Sequence, residues 1–172
     1  LTAFETRFPE RRPFFLEGAT LFNIGHPNFY YSRRVGSRPV GPATGDYVDY
    51  PTNSTIIGAA KLTGRLPSKT SVGFLTAVTA EESAEVASAS TLDRQQITVA
   101  PRAYYALGRV LQEFGTQAST AALLASVVHR DFADGDPLAD LQTRDAVAVA
   151  GNTTLRFAGG QYEFRAAGGG SI

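Results

Sequence analysis

The chain has 172 residues, 43% of them apolar, and its sixteen basic and sixteen acidic residues cancel. That is enough length for one domain with a core, and the balanced charge points to no nucleic-acid partner. The absence of cysteine removes a disulfide framework, a thiolate nucleophile and any cysteine-ligated metal centre. No apolar run reaches the ~18–20 residues of a membrane-spanning helix. The chain starts at Leu1 without an initiator methionine or a signal-peptide pattern, so it reads as a mature or excised piece of something longer. All but two of its basic residues are arginines, the exceptions being Lys61 and Lys69.

Residues 1–53 form a loop-rich segment crowded with arginine and aromatics. Pro9, Pro13, Pro27, Pro39, Pro42 and Pro51 interrupt any regular element there. Two clusters stand out, Phe8-Pro9-Glu10-Arg11-Arg12-Pro13-Phe14-Phe15-Leu16-Glu17-Gly18 and Phe29-Tyr30-Tyr31-Ser32-Arg33-Arg34-Val35-Gly36. Aromatic rings at this density need packing, which argues for an ordered segment and against a flexible linker.

From residue 54 onward, strand signals take over. Ile57, Ala59, Lys61, Thr63 and Arg65 alternate with Ile56, Gly58, Ala60, Leu62 and Gly64. Leu66-Pro67-Ser68-Lys69 can turn, and Ser71 to Thr79 can return as the second strand of a hairpin. Residues 81–92 and 132–143 are acidic, small and polar, and read as loops. Between them Tyr104, Leu107, Leu111 and Phe114 are spaced like a helix face, and Ser119 to Val128 is rich in Ala and Leu. Against helices stand Ile97-Thr98-Val99, Tyr104-Tyr105 and Val127-Val128, which favour strands. The residues alone leave 103–130 open between helix and strand. The clearest hairpin is the last one. Val147, Val149, Gly151, Thr153, Leu155 and Phe157 share one face, Ala158-Gly159-Gly160 turns, and Tyr162, Phe164 and Ala166 return.

Catalytic motifs are weak throughout. His26 and His129 are the only histidines, and neither has metal-ligand spacing to a second donor, so no metal and no cofactor are expected. On a strand His129 would align with Asp131 and not with Arg130. Ser32, Ser71 and Ser119 lack a nucleophile-elbow or Ser-x-x-Lys context. Asp46 with Asp49, and Glu81 with Glu82, are carboxylate pairs of the kind glycosidases use, yet the chain has no tryptophan on which a sugar could stack.

The two Arg–aromatic clusters, together with Gly58-Ala59-Ala60-Lys61-Leu62-Thr63-Gly64-Arg65, resemble a bacterial family described as a domain of unknown function. In that family a carbohydrate-binding-like β-sandwich precedes an outer-membrane-type β-barrel, and this chain resembles the segment leading into the barrel and the first strands. The resemblance implies an all-β fold of antiparallel hairpins, part of a larger barrel, with residues 54–172 as the hairpin region. It implies that Ala103 to Phe114 and Thr120 to Asp131 are a hairpin. It also implies a place in the outer membrane or envelope of a Gram-negative-type bacterium, with the membrane, the rest of a longer chain or envelope partners as its contacts. It supplies no reaction. The pattern yields six strands, fewer than the ~eight that close the smallest membrane barrels.

Three functions follow from these observations. The first is a non-catalytic barrel protein or fragment with a structural, transport or binding role. The second is a soluble β-rich module binding a glycan or an envelope partner; the third is a hydrolase. In a barrel, Lys61 and Arg65 would face the lumen and the apolar strand faces would meet lipid. In a soluble sandwich, Ile56, Leu62, Val147, Val149 and Leu155 would line a packed interior. Glu10, Arg11, Arg12, Glu17, Tyr30, Tyr31, Arg33 and Arg34 form either a ligand site or a structural clasp. Charge of both signs favours the clasp, with the four arginines expected on Glu10, Glu17 or backbone carbonyls.

Overall fold

A computed structural model of the chain describes residues 8–22, 30–90 and 93–172. His26, Pro27 and Phe29 lie outside these. Two one-turn helices come first, α1 (Pro13–Leu16) and α2 (Ala19–Phe22). Pro13 occupies the first turn of α1, where its missing N–H costs nothing. Gly18, at φ 64°, breaks the chain between the two helices. Residues 30–46 then run without a strand, apart from a 3₁₀ turn at Ser32–Arg34.

Nine strands follow among the described residues: β1 (Tyr47–Asp49), β2 (Ile56–Arg65), β3 (Thr70–Thr79), β4 (Glu82–Ala87), β5 (Arg94–Ala100), β6 (Arg102–Phe114), β7 (Ser119–Asp131), β8 (Asp145–Phe157) and β9 (Tyr162–Ser171). Six of them form one antiparallel sheet in the order β2-β3-β6-β7-β8-β9, and the other three form a small sheet, β1-β4-β5. The fold is all-β and antiparallel, as expected, and the described strands do not close into a barrel.

Residues 103–130 are strand on both sides of a turn at 115–118. The helix-like spacing is resolved by the pleat. Leu107 and Leu111 fall on one face, Tyr104 and Phe114 on the other. Residues 81–92 depart from the loop reading, because 82–87 form β4. Acidic side chains disfavour strands on propensity, but Ala84 and Val86 are buried at period 2 and β4 gains partners on both edges, β1 and β5. Thr79 pairs with Ala103 and Glu82 with Ala100. The β4–β5 arm therefore continues the β3–β6 ladder, interrupted at Pro101, which has no N–H to donate.

The core lies on one face of the six-stranded sheet only. Phe15, Phe22 and Val35 from the leading segment pack on Leu75, Ala77, Leu107, Leu124 and Ala150. Burying such side chains contributes roughly 1.5–3 kcal/mol each for the larger ones. The close approach depends on Gly73. A Cβ there would stand 2.7 Å from a Leu21 methyl and 2.9 Å from the Phe22 ring.

Candidate functional site

Among the described residues one carboxylate, that of Glu10, ties two parts of the leading segment together. Glu10 accepts from the backbone N–H groups of Arg11 and Arg12 (3.0 Å each), from Arg12 Nε (2.9 Å) and Nη2 (2.7 Å), and from the Ser32 hydroxyl (2.6 Å). Arg12 also donates to the carbonyls of Val35 (2.7 Å) and Ser32 (3.0 Å), and its guanidinium lies 4.2 Å from the Phe15 ring centroid. The bidentate pair, which only arginine can form, joins residues 10–12 to residues 32–35. Arg12 holds the Glu10 carboxyl far below the ordinary carboxylate range, helped by Ser32 and the two backbone N–H groups.

The other members of the two clusters divide. Arg33 Nε donates to the Pro9 carbonyl (2.9 Å), and the Tyr31 hydroxyl accepts from the Phe8 N–H (2.9 Å). Tyr30 packs beside Phe22, and burial pushes its phenol up to about 12. Arg11 is exposed and contributes only its backbone N–H to Glu10. Glu17 contributes its backbone carbonyl, which accepts from Lys61 Nζ (2.5 Å). Arg34 lines a cavity described below.

Lys61 and Arg65 lie on the covered face of the sheet. Lys61 bonds the carbonyls of Phe14 and Glu17 and sits 4.8 Å from the Phe14 ring centroid, closing the end of α1. Arg65 pairs with Glu113 (2.8 Å) on the same face. Arg109 is the residue that sequence reasoning missed. It is 4% exposed beneath α2, donating to the Leu21 carbonyl (2.5 Å) and to Asn152 Oδ1 (3.2 Å). It stands in phase with Leu107 and Leu111 and so shares their face.

Of the candidate nucleophiles and carboxylates, Ser119, Asp46 and Glu82 hold local structure. The Ser119 hydroxyl accepts from the Arg156 N–H (3.0 Å). Asp46 caps the Ala89 N–H (2.8 Å), and Glu82 caps the Thr55 N–H (2.6 Å). Among the described residues no three His, Asp or Glu side chains come together as a metal site. His129 lies between Asp145 (2.6 Å) and Asp131 (3.2 Å) and opposite Tyr104.

The two faces of the six-stranded sheet differ completely in chemistry. Register places Lys61, Arg65, Arg109, Glu113, Arg130, Arg156, Glu163 and Arg165 on the covered face. No described residue covers the other face, which is bare among the described residues. It carries Leu62, Phe74, Val110, Leu123, Val149 and Phe164 in its middle, with Leu62 69%, Leu123 58% and Phe74 50% exposed. Its only charged groups, Arg102, His129, Asp131 and Asp145, gather at one end of the strands. The two threonines within the band satisfy themselves: Thr76 donates to the Tyr105 carbonyl and Thr153 to the Thr120 carbonyl, both at 2.9 Å. Aromatics mark both rims, Tyr104 at the charged end and Phe114, Phe157 and Tyr162 at the turn end.

The profile of the family described as Domain of unknown function (DUF5916) matches residues 1–153. The chain belongs to this family. No curated protein and no solved structure shows significant similarity to it.

Proposed function

We propose that this DUF5916 chain forms part of the wall of an outer-membrane β-barrel, with residues 8–22 and 30–40 as an internal plug and no catalytic role. The observation that carries this reading is the bare face: an apolar, aromatic-rimmed surface, free of charge across its middle, backed by a face that carries the Arg65–Glu113 and Arg156–Glu163 ion pairs. In a soluble sandwich Leu62, Val149 and Leu155 would need a second layer, and no described element covers them. Lipid is the one solvent in which that surface is not a cost.

Dimensions support the same reading. From Tyr104 to Phe114 is ten steps, or roughly 33 Å along the strand at ~3.3 Å per residue. A strand tilted ~40° projects about 25 Å of that onto the membrane normal, the height of the apolar band in such barrels. The three connections at one end, 66–69, 115–118 and 158–161, are tight turns. At the other end lie the β4–β5 arm and the 132–144 connection, the asymmetry that barrels show between inner turns and outer loops. On this reading Lys61 and Arg65 face the lumen, and Glu10, Arg12, Arg33 and Tyr31 clasp the plug.

The test is flotation. The chain, refolded in the presence of outer-membrane lipid vesicles, should float with them through a density gradient and resist extraction by high salt and alkaline carbonate. A chain that stays monomeric and soluble without detergent or lipid contradicts the proposal.

A further inference from the structure

The bare face and the clasp leave one feature unused. A cavity of about 740 Å³ lies on the covered face, between residues 30–40, the β3, β6 and β7 strands and the 141–142 loop. Its floor is apolar, with Leu75 and Leu107 fully buried and the half-buried ring of Tyr105 beside them. The described charged groups at its polar edge are arginines. Arg34, Arg38 and Arg130 line it, and none of its described lining residues is an aspartate or glutamate. Elsewhere on this face Arg65, Arg156 and Arg165 are matched by Glu113 and Glu163, whereas Lys61 and Arg109 are held by backbone carbonyls and Asn152. Arg130 spends one N–H on the Thr143 carbonyl (2.7 Å), and Arg38 lies 5.0 Å from the Tyr50 ring. These contacts orient the two guanidiniums and leave their charge unneutralised by any described carboxylate.

From this we infer that the cavity is a binding site for a small organic anion, an apolar or aromatic body carrying one carboxylate. The volume suits a ligand of ordinary small-molecule size, and an apolar pocket with a few polar groups fixing orientation is the usual form of such a site. Arginine recognises a carboxylate by paired N–H donors, which a neutral amide of the same shape cannot match. The body would rest on Leu75, Leu107 and Tyr105, with the carboxylate at the Arg38–Arg130 edge. The inference stands on the cavity alone and does not depend on what covers the bare face.

The experiment titrates three probes of matched shape, 2-naphthoate, 2-naphthamide and 2-naphthylmethylammonium, into the full chain held in neutral detergent. Binding is followed by the arginine Nε–Hε NMR signals. Naphthoate should bind at least tenfold more tightly than naphthamide and shift the Arg38 and Arg130 signals, and the ammonium should not bind. Arg38→Gln with Arg130→Gln should weaken naphthoate at least tenfold while leaving naphthamide unchanged, and Arg65→Gln at the far rim should have no effect. Should the double variant fail to fold, raising NaCl on the unmodified chain replaces it: naphthoate must weaken and naphthamide must not. Equal binding of all three probes, indifference to salt, or no naphthoate binding at millimolar concentration overturns the inference.

Discussion

Removing the Arg12 guanidinium is the sharpest perturbation of the leading segment. Arg12→Ala deletes two bonds to Glu10, two bonds to the carbonyls of Ser32 and Val35, and the stacking on Phe15. The Arg12 side chain is 35% exposed and that of Glu10 only 12%. The pair thus lies between the surface case, worth ~0–1 kcal/mol, and the fully buried case, where losing one partner costs ~3–5. Glu10 keeps three other donors after the substitution, Ser32 and two backbone N–H groups, which softens the penalty. The expected cost is about 2–3 kcal/mol. It should be local, because the bonds join residues 10–12 to 32–35 and do not cross the sheet. Hydrogen exchange in micelles is the matching assay, and amide protection at Phe15 and Val35 should fall roughly 30–150-fold, at ~1.4 kcal/mol per factor of ten. Arg12→Lys should recover less than half of it, since an ammonium cannot make the paired contact. Unchanged protection in Arg12→Ala would refute the clasp.

Three further outcomes follow from the same geometry. Glu10 is held ionised far below its ordinary range, so its contribution is complete above about pH 4 and is lost as pH falls through the lowered value. Glu10→Gln should therefore lower protection of the leading segment at pH 7, and its difference from the unmodified chain should shrink progressively as pH falls below about 4, read by exchange at several pH values. Gly73→Val should force Leu21 and Phe22 off the sheet at a cost of roughly 1–3 kcal/mol, measured by urea unfolding in micelles. Leu123→Arg, in the middle of the bare face, should cost about 2–4 kcal/mol of stability in lipid vesicles, measured by urea unfolding from the bilayer, with little effect in detergent.

Much of this architecture was legible where a face is chemically uniform. The alternations at 56–65 and 147–166 gave both hairpins, with Lys61 and Arg65 on one face and Leu62 on the other, because period 2 forces that separation. The Ala158-Gly159-Gly160 turn was readable because all three residues take positive φ, two of them glycines that do so freely. The 82–87 strand was not legible. Its acidic residues carry a loop signal, and what makes it a strand is pairing to β1 and β5, more than thirty residues away in the first case. Among the clusters, the sequence pointed to Glu10, Arg12 and Arg33 but could not rank them against Arg11, which differs from Arg12 only in the direction its side chain leaves a loop. Arg109 was hidden for a related reason: a lone arginine in an apolar strand has meaning only once α2 is laid over it.

The bare face in contact with lipid is the claim on which the account rests, and the absence of native cysteine makes it directly measurable. Single cysteines introduced in turn from Ala121 to Val128, each carrying a nitroxide label, can be scanned in lipid vesicles for collision with oxygen and with a water-soluble nickel chelate. The account predicts oxygen access that peaks at 121, 123, 125 and 127 and drops at 122, 124, 126 and 128, with nickel excluded from the peaks. Nickel access at 123 and 125 equal to that of a water-exposed turn such as 116 would contradict it.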